Sequence, residues 1–202
     1  MKNKGLLIGC SVGAFILIII GIFVIWGIST YNKLVSLNEG VNQAWGQVEN
    51  VYQRRADLIP NLVATVKGVA NFEKETYTAV TEARARVGQI KLSADQLSDP
   101  QAFQKFQQAQ DNLGNAISRL LVVSENYPQL KANENFLTLQ AQLEGTENRI
   151  TVERQKFNQV VQSYNTAIKK FPANFIANMT GFREKQYFKA QEGAEQAPKV
   201  QF

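Results

Sequence analysis

Apolar and polar residues alternate with a helical period from residue 31 to residue 171. Apolar side chains recur at intervals of three and four, which places them on one face of an α-helix. In the first segment Leu34, Val41 and Val48 fall seven residues apart, and Arg55 continues the same row. No convincing run shows the two-residue alternation of a strand. The pattern therefore predicts an all-α fold.

Short breaks divide this pattern into four amphipathic segments. Pro60 suits the first turn of a helix, where its missing N–H is not needed, and Asp57 just before it can cap that helix or favour its positive end. Ser98 and Gln101 around Pro100 have the spacing of a capping box, and Asn133 is a good N-cap for the last segment. The remaining breaks fall at Pro128 and Pro172.

The four segments have similar lengths, about 27 to 37 residues or roughly 40 to 55 Å each at 1.5 Å per residue. Similar lengths and short links favour an up-and-down four-helix bundle. We therefore predict a membrane anchor over residues 1–30, a bundle with a membrane-proximal C-terminal segment over 31–182, and a flexible tail over 183–202.

A membrane anchor is indicated by the N-terminal run from Gly5 to Ile28, which contains no charged residue. A helix needs about 20 residues to cross a bilayer. A cleaved signal peptide has a shorter apolar core and small residues at its cleavage site. We interpret the run as an uncleaved, single-pass anchor. The alternative is a lipoprotein-type anchor at Cys10 in "LIGC", which would leave a long apolar segment after the cysteine.

The residues beside the anchor predict its orientation and its packing. Lys2 and Lys4 precede the anchor and only Lys33 closely follows it, so the N-terminus is expected in the cytoplasm and the body on the outer side. Gly5, Gly9 and Gly13 form a ridge that lets two membrane helices approach closely. We expect a homo-oligomer through this face, although glycine is also simply common in membrane helices.

Composition excludes several classes of chemistry. The chain has no histidine and one cysteine, which excludes a histidine-based triad, a Cys/His zinc site, a di-iron bundle site and an internal disulfide. The formal net charge is +5, of which Lys2 and Lys4 contribute two. The remaining charge is weak and scattered, so we expect no nucleic-acid partner.

Charged residues in apolar rows predict a structural polar network within the bundle. Arg55 is expected to be partly buried and paired with Glu134 or Glu144, and Glu73 is expected to contact Arg149. Such pairs can fix helix register. The alternative is a carboxylate metal or catalytic site, but matching arginines neutralise the acids, so we expect no metal, cofactor or catalytic residue. The predicted network comprises Arg54, Arg55, Asp57, Glu73, Glu144, Glu147, Arg149 and Glu153.

Two features near the C-terminus suggest further contacts. Phe171, Phe175 and Phe182 lie among basic residues, a mixture that suits the lipid headgroup layer, although these aromatics could instead fold back onto the bundle. The chain stops on Val200 and Phe202, spaced by two before the terminal carboxylate. This end is either a partner-binding tail that adds to a sheet edge or a tail without a partner.

Three ordered motifs resemble a known family. "RRADLIPNLV", "LEGTENRITVERQKFNQVVQSYN" and "FPANFIA", after an N-terminal membrane helix, are similar to the LemA family of bacterial proteins over nearly the whole chain. The resemblance implies a single-pass protein of the bacterial inner membrane with a bromodomain-like bundle and no established catalytic residues. One branch of the family is associated with building magnetosome membranes, and members are often encoded beside membrane proteases.

The resemblance therefore favours a non-enzymatic envelope scaffold or adaptor whose partners are the membrane and other envelope proteins. The alternatives are a regulator or adaptor of a membrane or envelope protease, and a lipoprotein-type anchored bundle. The family motifs are carried over as a structural signature only, at Arg54, Arg55, Asp57, Pro60, Asn61, Glu144, Thr146, Glu147, Asn148, Arg149, Asn158, Asn165 and Pro172.

Overall fold

The structure, a computed structural model, describes residues 2–69 and 72–189, with side chains from residue 13 onward. The fold is all-α, and no strand occurs within these ranges. A 3₁₀ helix covers Ala94–Ser98. The α-helices are α1 (Lys2–Lys67), α2 (Lys74–Gln89), α3 (Pro100–Ser124), α4 (Pro128–Lys131), α5 (Glu134–Lys169) and α6 (Ala173–Thr180).

Helix α1 contains both the apolar N-terminal run and the first segment of the helical body, without a break. Among the described residues it is the one helix that is long and apolar enough to cross a membrane. Its apolar side chains from Phe15 to Ile28 are exposed, as a lipid-facing surface requires.

Pro60 lies inside α1, so the predicted helix break at this residue is wrong. Proline has no N–H, and a proline at this position deprives the carbonyl of Ala56, four residues earlier, of its helical donor. Arg84 of α2 replaces that donor, with Nε 2.9 Å from the Ala56 oxygen. Asp57 therefore caps no helix here. Its carboxylate accepts a hydrogen bond from Gln53 Nε2 within α1, at 2.8 Å.

The later helix boundaries partly follow the sequence prediction. The second helix begins at Lys74 and has 16 residues, far fewer than predicted. Helix α3 is capped by Asp99 rather than Ser98, because the Asp99 carboxylate accepts hydrogen bonds from the backbone N–H groups of the first turn at 2.8 and 3.3 Å. The Asn133 cap is confirmed, since its Oδ1 accepts from the N–H of Phe136 at 3.1 Å.

The chain divides into two compact units. The first comprises the chain up to Gly40 together with Gln162–Glu184, and the second comprises Val41–Val161 and the chain from Lys185 onward.

The second unit is built around an apolar core to which five of its helices contribute. Trp45 lies among four aromatic rings, with centroid distances of 5.2 Å to Phe106 and 5.5 Å to Phe157, and its Nε1 donates to the Leu92 carbonyl at 3.2 Å. Burial of these side chains is the main stabilising contribution to the unit. The rest of the core contains Ile59, Leu62, Val63, Val66, Phe72, Val80, Leu113, Ile117, Leu120, Leu130, Phe136 and Leu143.

The segment from Lys185 to Lys189 is held firmly within the second unit, unlike the flexible tail predicted from residue 183. The backbone of Phe188 exchanges two hydrogen bonds with the Asn158 amide, both 2.9 Å long. Gln107 and Arg154 both donate to the Lys189 carbonyl at 3.0 Å. Phe188 is buried against Trp45, which explains why this segment is ordered. Val200 and Phe202 lie outside the described residues.

A buried arginine as the candidate functional site

Arg55 is the most deeply buried charged side chain of the described residues, with 3% exposure. Its Nη1 forms an ion pair with Glu147 Oε2 at 2.9 Å. Its Nη2 donates to both the backbone oxygen and Oε1 of Gln110, at 2.8 and 2.7 Å. The guanidinium carbon also lies 5.2 Å from the centre of the Tyr52 ring. A cation in this position joins α1, α3 and α5.

Helical periodicity brings these three polar residues together. Arg55 continues the row of Val41 and Val48 on α1. Gln110 lies four residues after Phe106 on α3, and it is also buried. Glu147 lies four residues after Leu143 on α5. Arg55 and Gln110 therefore point towards the inside of the unit from rows of otherwise apolar residues, and Glu147 lies at the edge of such a row.

The ion pair is buried on one side only. The Arg55 side chain is 3% exposed, whereas that of Glu147 is 56% exposed. Keeping the carboxylate near solvent reduces the desolvation cost that a fully buried pair carries. The Gln110 oxygens supply acceptors on the buried side, where solvent cannot.

A cavity of about 310 Å³ lies beside this pair. Arg154 and Asp111, a second ion pair 3.5 Å apart, lie along it. The Tyr52 hydroxyl and Arg55 Nε are buried and form no hydrogen bond with the described part of the chain. Burial raises the pKa of Tyr52 to about 12, so its phenol stays protonated at neutral pH. The cavity is therefore polar, and both of its arginines have carboxylate partners.

The arrangement can hold three helices in register. Within the described residues, no three His, Cys, Asp or Glu side chains are close enough to hold a metal ion. Arg55 and Arg154 each pair with an acid that a metal would need as a ligand. Three helices that share one buried cation cannot slide along each other without leaving its charge unpaired.

Of the eight residues predicted to form the polar network, the structure brings together only Arg55 and Glu147. Glu73 and Arg149 do not pair. The Glu73 carboxylate accepts from the Thr76 hydroxyl at 3.0 Å, and Arg149 is exposed on α5. The prediction placed Glu73 opposite Arg149 by assuming that the second helix starts at Pro60, whereas α2 starts at Lys74. Neither Glu134 nor Glu144 contacts Arg55.

The other predicted network residues form local contacts on exposed helix surfaces. Glu144 accepts from Gln140 at 3.0 Å, and Glu153 pairs with Lys156 at 2.7 Å. Arg54 is exposed on α1, and Asp57 contacts Gln53 as described above.

Sequence reasoning missed Gln110, Asp111 and Arg154. Gln110 carried a usable signal, because it occupies a buried position between Phe106 and Leu113 in the apolar row of α3. Asp111 and Arg154 carried none, since charged residues next to an apolar row are usual on any amphipathic helix.

Comparison with known proteins places this site within a family. The family model described as LemA family matches residues 44–202, which include Arg55, Gln110 and Glu147. The chain belongs to the LemA family. The resemblance inferred from the sequence motifs is confirmed.

Curated relatives of this LemA-family chain include two kinds of protein. Magnetosome protein MamQ of Magnetospirillum gryphiswaldense is 28% identical over 174 residues, which cover 78% of this chain and 64% of the relative. Magnetosome protein MamQ 2 of Paramagnetospirillum magneticum is 26% identical over 181 residues, covering 82% and 66%. Protein LemA of Metamycoplasma hominis is 24% identical over 178 residues, covering 88% and 77%. The chain spans less than two thirds of the length of the MamQ relatives it matches.

Proposed function

We propose that this LemA-family protein is a non-enzymatic, single-pass membrane scaffold or adaptor whose helical unit binds other envelope proteins. The observation that carries the proposal is the continuity of α1, which contains both the apolar membrane-crossing stretch and core residues of the second unit. A protein bound to that unit would thereby be attached to a membrane through the same chain.

The helical unit is proposed to be an up-and-down four-helix bundle of bromodomain-like topology. Its helices would be the part of α1 after Gly40, α2, α3 and α5. Support comes from the core, to which all four contribute side chains, and from the Arg55 contacts that join three of them. In this proposal the polar site is structural and has no cofactor.

The N-terminus is proposed to lie in the cytoplasm of a bacterial cell and the helical unit on the outer side of the inner membrane. Lys2 and Lys4 support this orientation through the positive-inside rule. Two relatives named magnetosome proteins support a role in an assembly at a membrane.

Exposed apolar side chains of the second unit are the candidate partner contacts. Val122 on α3 is 65% exposed, and Leu137 and Val152 on α5 are 48% and 45% exposed. The fully buried centre of a protein interface is more apolar than the rest of the protein surface, so these three positions are the ones to test.

Site-specific photocrosslinking in living cells tests the adaptor role. A photoreactive amino acid is placed at Val122, Leu137 or Val152, with matched controls at the exposed polar positions Gln108, Asn148 and Gln155. We expect the apolar positions to capture the same few envelope proteins and the polar positions to capture little. Equal, unselective capture at both sets would contradict the proposal. Selective capture of a membrane protease would instead favour the regulator of a protease.

A further inference from the structure

Helix α6 and the turn before it present an apolar face that nothing within the described chain covers. Phe171, in that turn, has its ring centroid 5.9 Å from that of Phe175, and Phe175 and Met179 lie four residues apart on one side of α6. Their exposed fractions are 80%, 64% and 79%. Large apolar side chains that stay so exposed on one short helix mark an interaction surface.

The opposite side of α6 packs on α1, within the first unit. The Cδ1 atom of Ile176 lies 3.8 Å from the position that a Cβ atom would occupy if one were added at Gly27. Phe182, just after α6, contacts Tyr31 of α1 at a centroid distance of 6.0 Å. Ala177 is 1% exposed. Helix α6 therefore packs against α1 at a defined position, near Gly27 and Tyr31.

That position along α1 coincides with the end of its apolar run. The run ends at Ile28, one residue after Gly27, and the first charged residue beyond it is Lys33. A run from Gly5 to Ile28 is about 36 Å long at 1.5 Å per residue, against a hydrocarbon core of about 30 Å. Gly27 then lies close to the boundary between hydrocarbon and headgroups. Trp26 and Tyr31 are aromatic residues of the kind enriched at this boundary.

Charges beside α6 agree with a headgroup location. Lys169 and Lys170 come just before the helix and Arg183 comes just after it, and all three are exposed. Lys169 pairs with Glu184 at 2.6 Å, which joins the chain before α6 to the chain after it. Gly181 ends the helix with a φ of 80°, a conformation that glycine adopts without strain. An amphipathic helix with apolar side chains on one face and basic residues nearby suits a membrane surface.

We propose that Phe171, Phe175 and Met179 insert into the bilayer as an interfacial face of α6, in the leaflet where the α1 span ends. The occupant of this face is lipid, because Ile176 of the same helix packs at Gly27, at the end of an α1 run whose apolar side chains, among them Ile25 and Ile28, are exposed. The proposal rests on the membrane anchoring in the proposed function but on neither the adaptor role nor the orientation. The alternative occupant, a second copy of the chain, is separated from lipid by the test below.

Depth-dependent fluorescence quenching tests this insertion. The full-length chain with Cys10→Ser receives one cysteine, at Phe175 or Met179, and an environment-sensitive fluorophore is attached. Nanodiscs holding one copy of the protein exclude a second copy as the cover. Nitroxide lipids place the quencher either near the glycerol backbone or at the end of the acyl chain. Matched labels at Ile28 and at the exposed Ser36, nine residues beyond Gly27, serve as lipid and water references.

We expect labels at both α6 positions to be quenched as strongly as the Ile28 label, and more by the shallow nitroxide than by the deep one. The Ser36 label is expected to stay unquenched. A quenched Ile28 label with unquenched α6 labels would overturn the α6 proposal alone. An unquenched Ile28 label would overturn the membrane anchor as well. A face that only a second copy covers would be left open to water in these single-copy nanodiscs, so α6 labels that are neither quenched nor blue-shifted would overturn the lipid assignment.

Discussion

At the scale of single residues, the Arg55 site combines a buried cation with a partner that solvent can reach. Gln110 supplies two oxygens on the buried side, and Glu147 supplies the charge on the open side. The two contacts are therefore not equivalent. Loss of Gln110 Oε1 leaves the guanidinium one acceptor short where solvent is excluded, while the site left by Glu147 can admit water.

Alanine substitution is therefore expected to cost more stability at Gln110 than at Glu147, and most at Arg55 itself. Arg55→Ala should lower the free energy of unfolding by about 3 kcal/mol, because it removes packing and leaves the buried Gln110 Oε1 without its donor. Gln110→Ala should cost about 2 kcal/mol and Glu147→Ala about 1 kcal/mol. Urea unfolding of the full-length chain in detergent, followed by circular dichroism, measures each value.

The matched controls for this series are Arg54→Ala and Glu144→Ala, which change the same residue types at exposed positions of the same helices. Each should change stability by less than about 0.5 kcal/mol. Equal effects at Glu144 and Glu147 would contradict a specific role for the Arg55 pair.

The two buried tyrosines Tyr52 and Tyr164 should respond oppositely to loss of the hydroxyl. The buried hydroxyl of Tyr52 has no hydrogen-bond partner among the described residues, so Tyr52→Phe should leave stability unchanged or raise it by up to about 1 kcal/mol. Tyr164 donates to the Arg183 carbonyl at 3.0 Å, so Tyr164→Phe should cost about 1 kcal/mol. A clear loss of stability in Tyr52→Phe would contradict the unpaired hydroxyl.

The free energy of unfolding at alkaline pH provides a second test of the buried Tyr52 hydroxyl. Burial raises its pKa from the ordinary 10 to about 12, so the folded chain binds this proton more tightly than the unfolded chain does. Tyr52 leaves the free energy of unfolding independent of pH below pH 10 and lowers it as the pH rises from 10 to about 12. Tyr52→Phe should therefore lose less stability than the parent protein across this window. The free energy of unfolding is measured by urea unfolding at several pH values between 10 and 12. An equal decrease with pH in Tyr52→Phe and in the parent protein would exclude the buried phenol as a cause of that decrease.

At the scale of helices, Pro60 and Arg84 act as one feature. The proline removes an intrahelical donor and the arginine replaces it at the Ala56 carbonyl. Arg84→Ala should lower the free energy of unfolding by about 1 kcal/mol, because the carbonyl loses its donor. In Pro60→Ala the restored N–H satisfies the same carbonyl, so Arg84→Ala should then cost little.

A double-mutant cycle measures this dependence, and a coupling above about 0.5 kcal/mol between Pro60 and Arg84 is expected. Arg86→Ala, an exposed arginine of the same helix, is the control and should add independently to Pro60→Ala. Strict additivity for Arg84 would mean that its contact with the Ala56 carbonyl contributes nothing.

The same residues show how much of the fold could be predicted from the sequence. Periodicity was sufficient for the all-α fold, the long apolar helix and the Asn133 cap, because each depends on residues within a few positions. The continuation of α1 through Pro60 depends on a donor 28 residues away, which no local rule contains. That error displaced α2 and so produced the wrong Glu73–Arg149 pair. Gln110 could have been identified as a polar residue in an apolar row, but its partner needed the tertiary structure.

At the scale of the whole molecule, the glycine ridge is the predicted contact between copies of the chain. No described atom lies within 4 Å of a Cβ added at Gly13, so this position is open to another helix. The side-chain environment of Gly5 and Gly9 lies outside the described residues. Gly13→Ile should weaken self-association in a membrane two-hybrid assay, because the larger side chain keeps the helices apart. Ala14→Ile, a similar enlargement on a neighbouring face, is the control, and equal signals from both variants would exclude the ridge.

The central claim is that α1 crosses the membrane once and carries the helical unit on the outer side. A Cys10→Ser chain with a single cysteine at the exposed Gln129, or at Asn3 before the apolar run, tests it most directly. Intact spheroplasts are treated with a membrane-impermeant maleimide, and the labelled full-length protein is then quantified. We expect Gln129→Cys to react in intact spheroplasts and Asn3→Cys to react only after the membrane is permeabilised. Labelling of Asn3→Cys in intact cells, with Gln129→Cys protected until lysis, would contradict the claim.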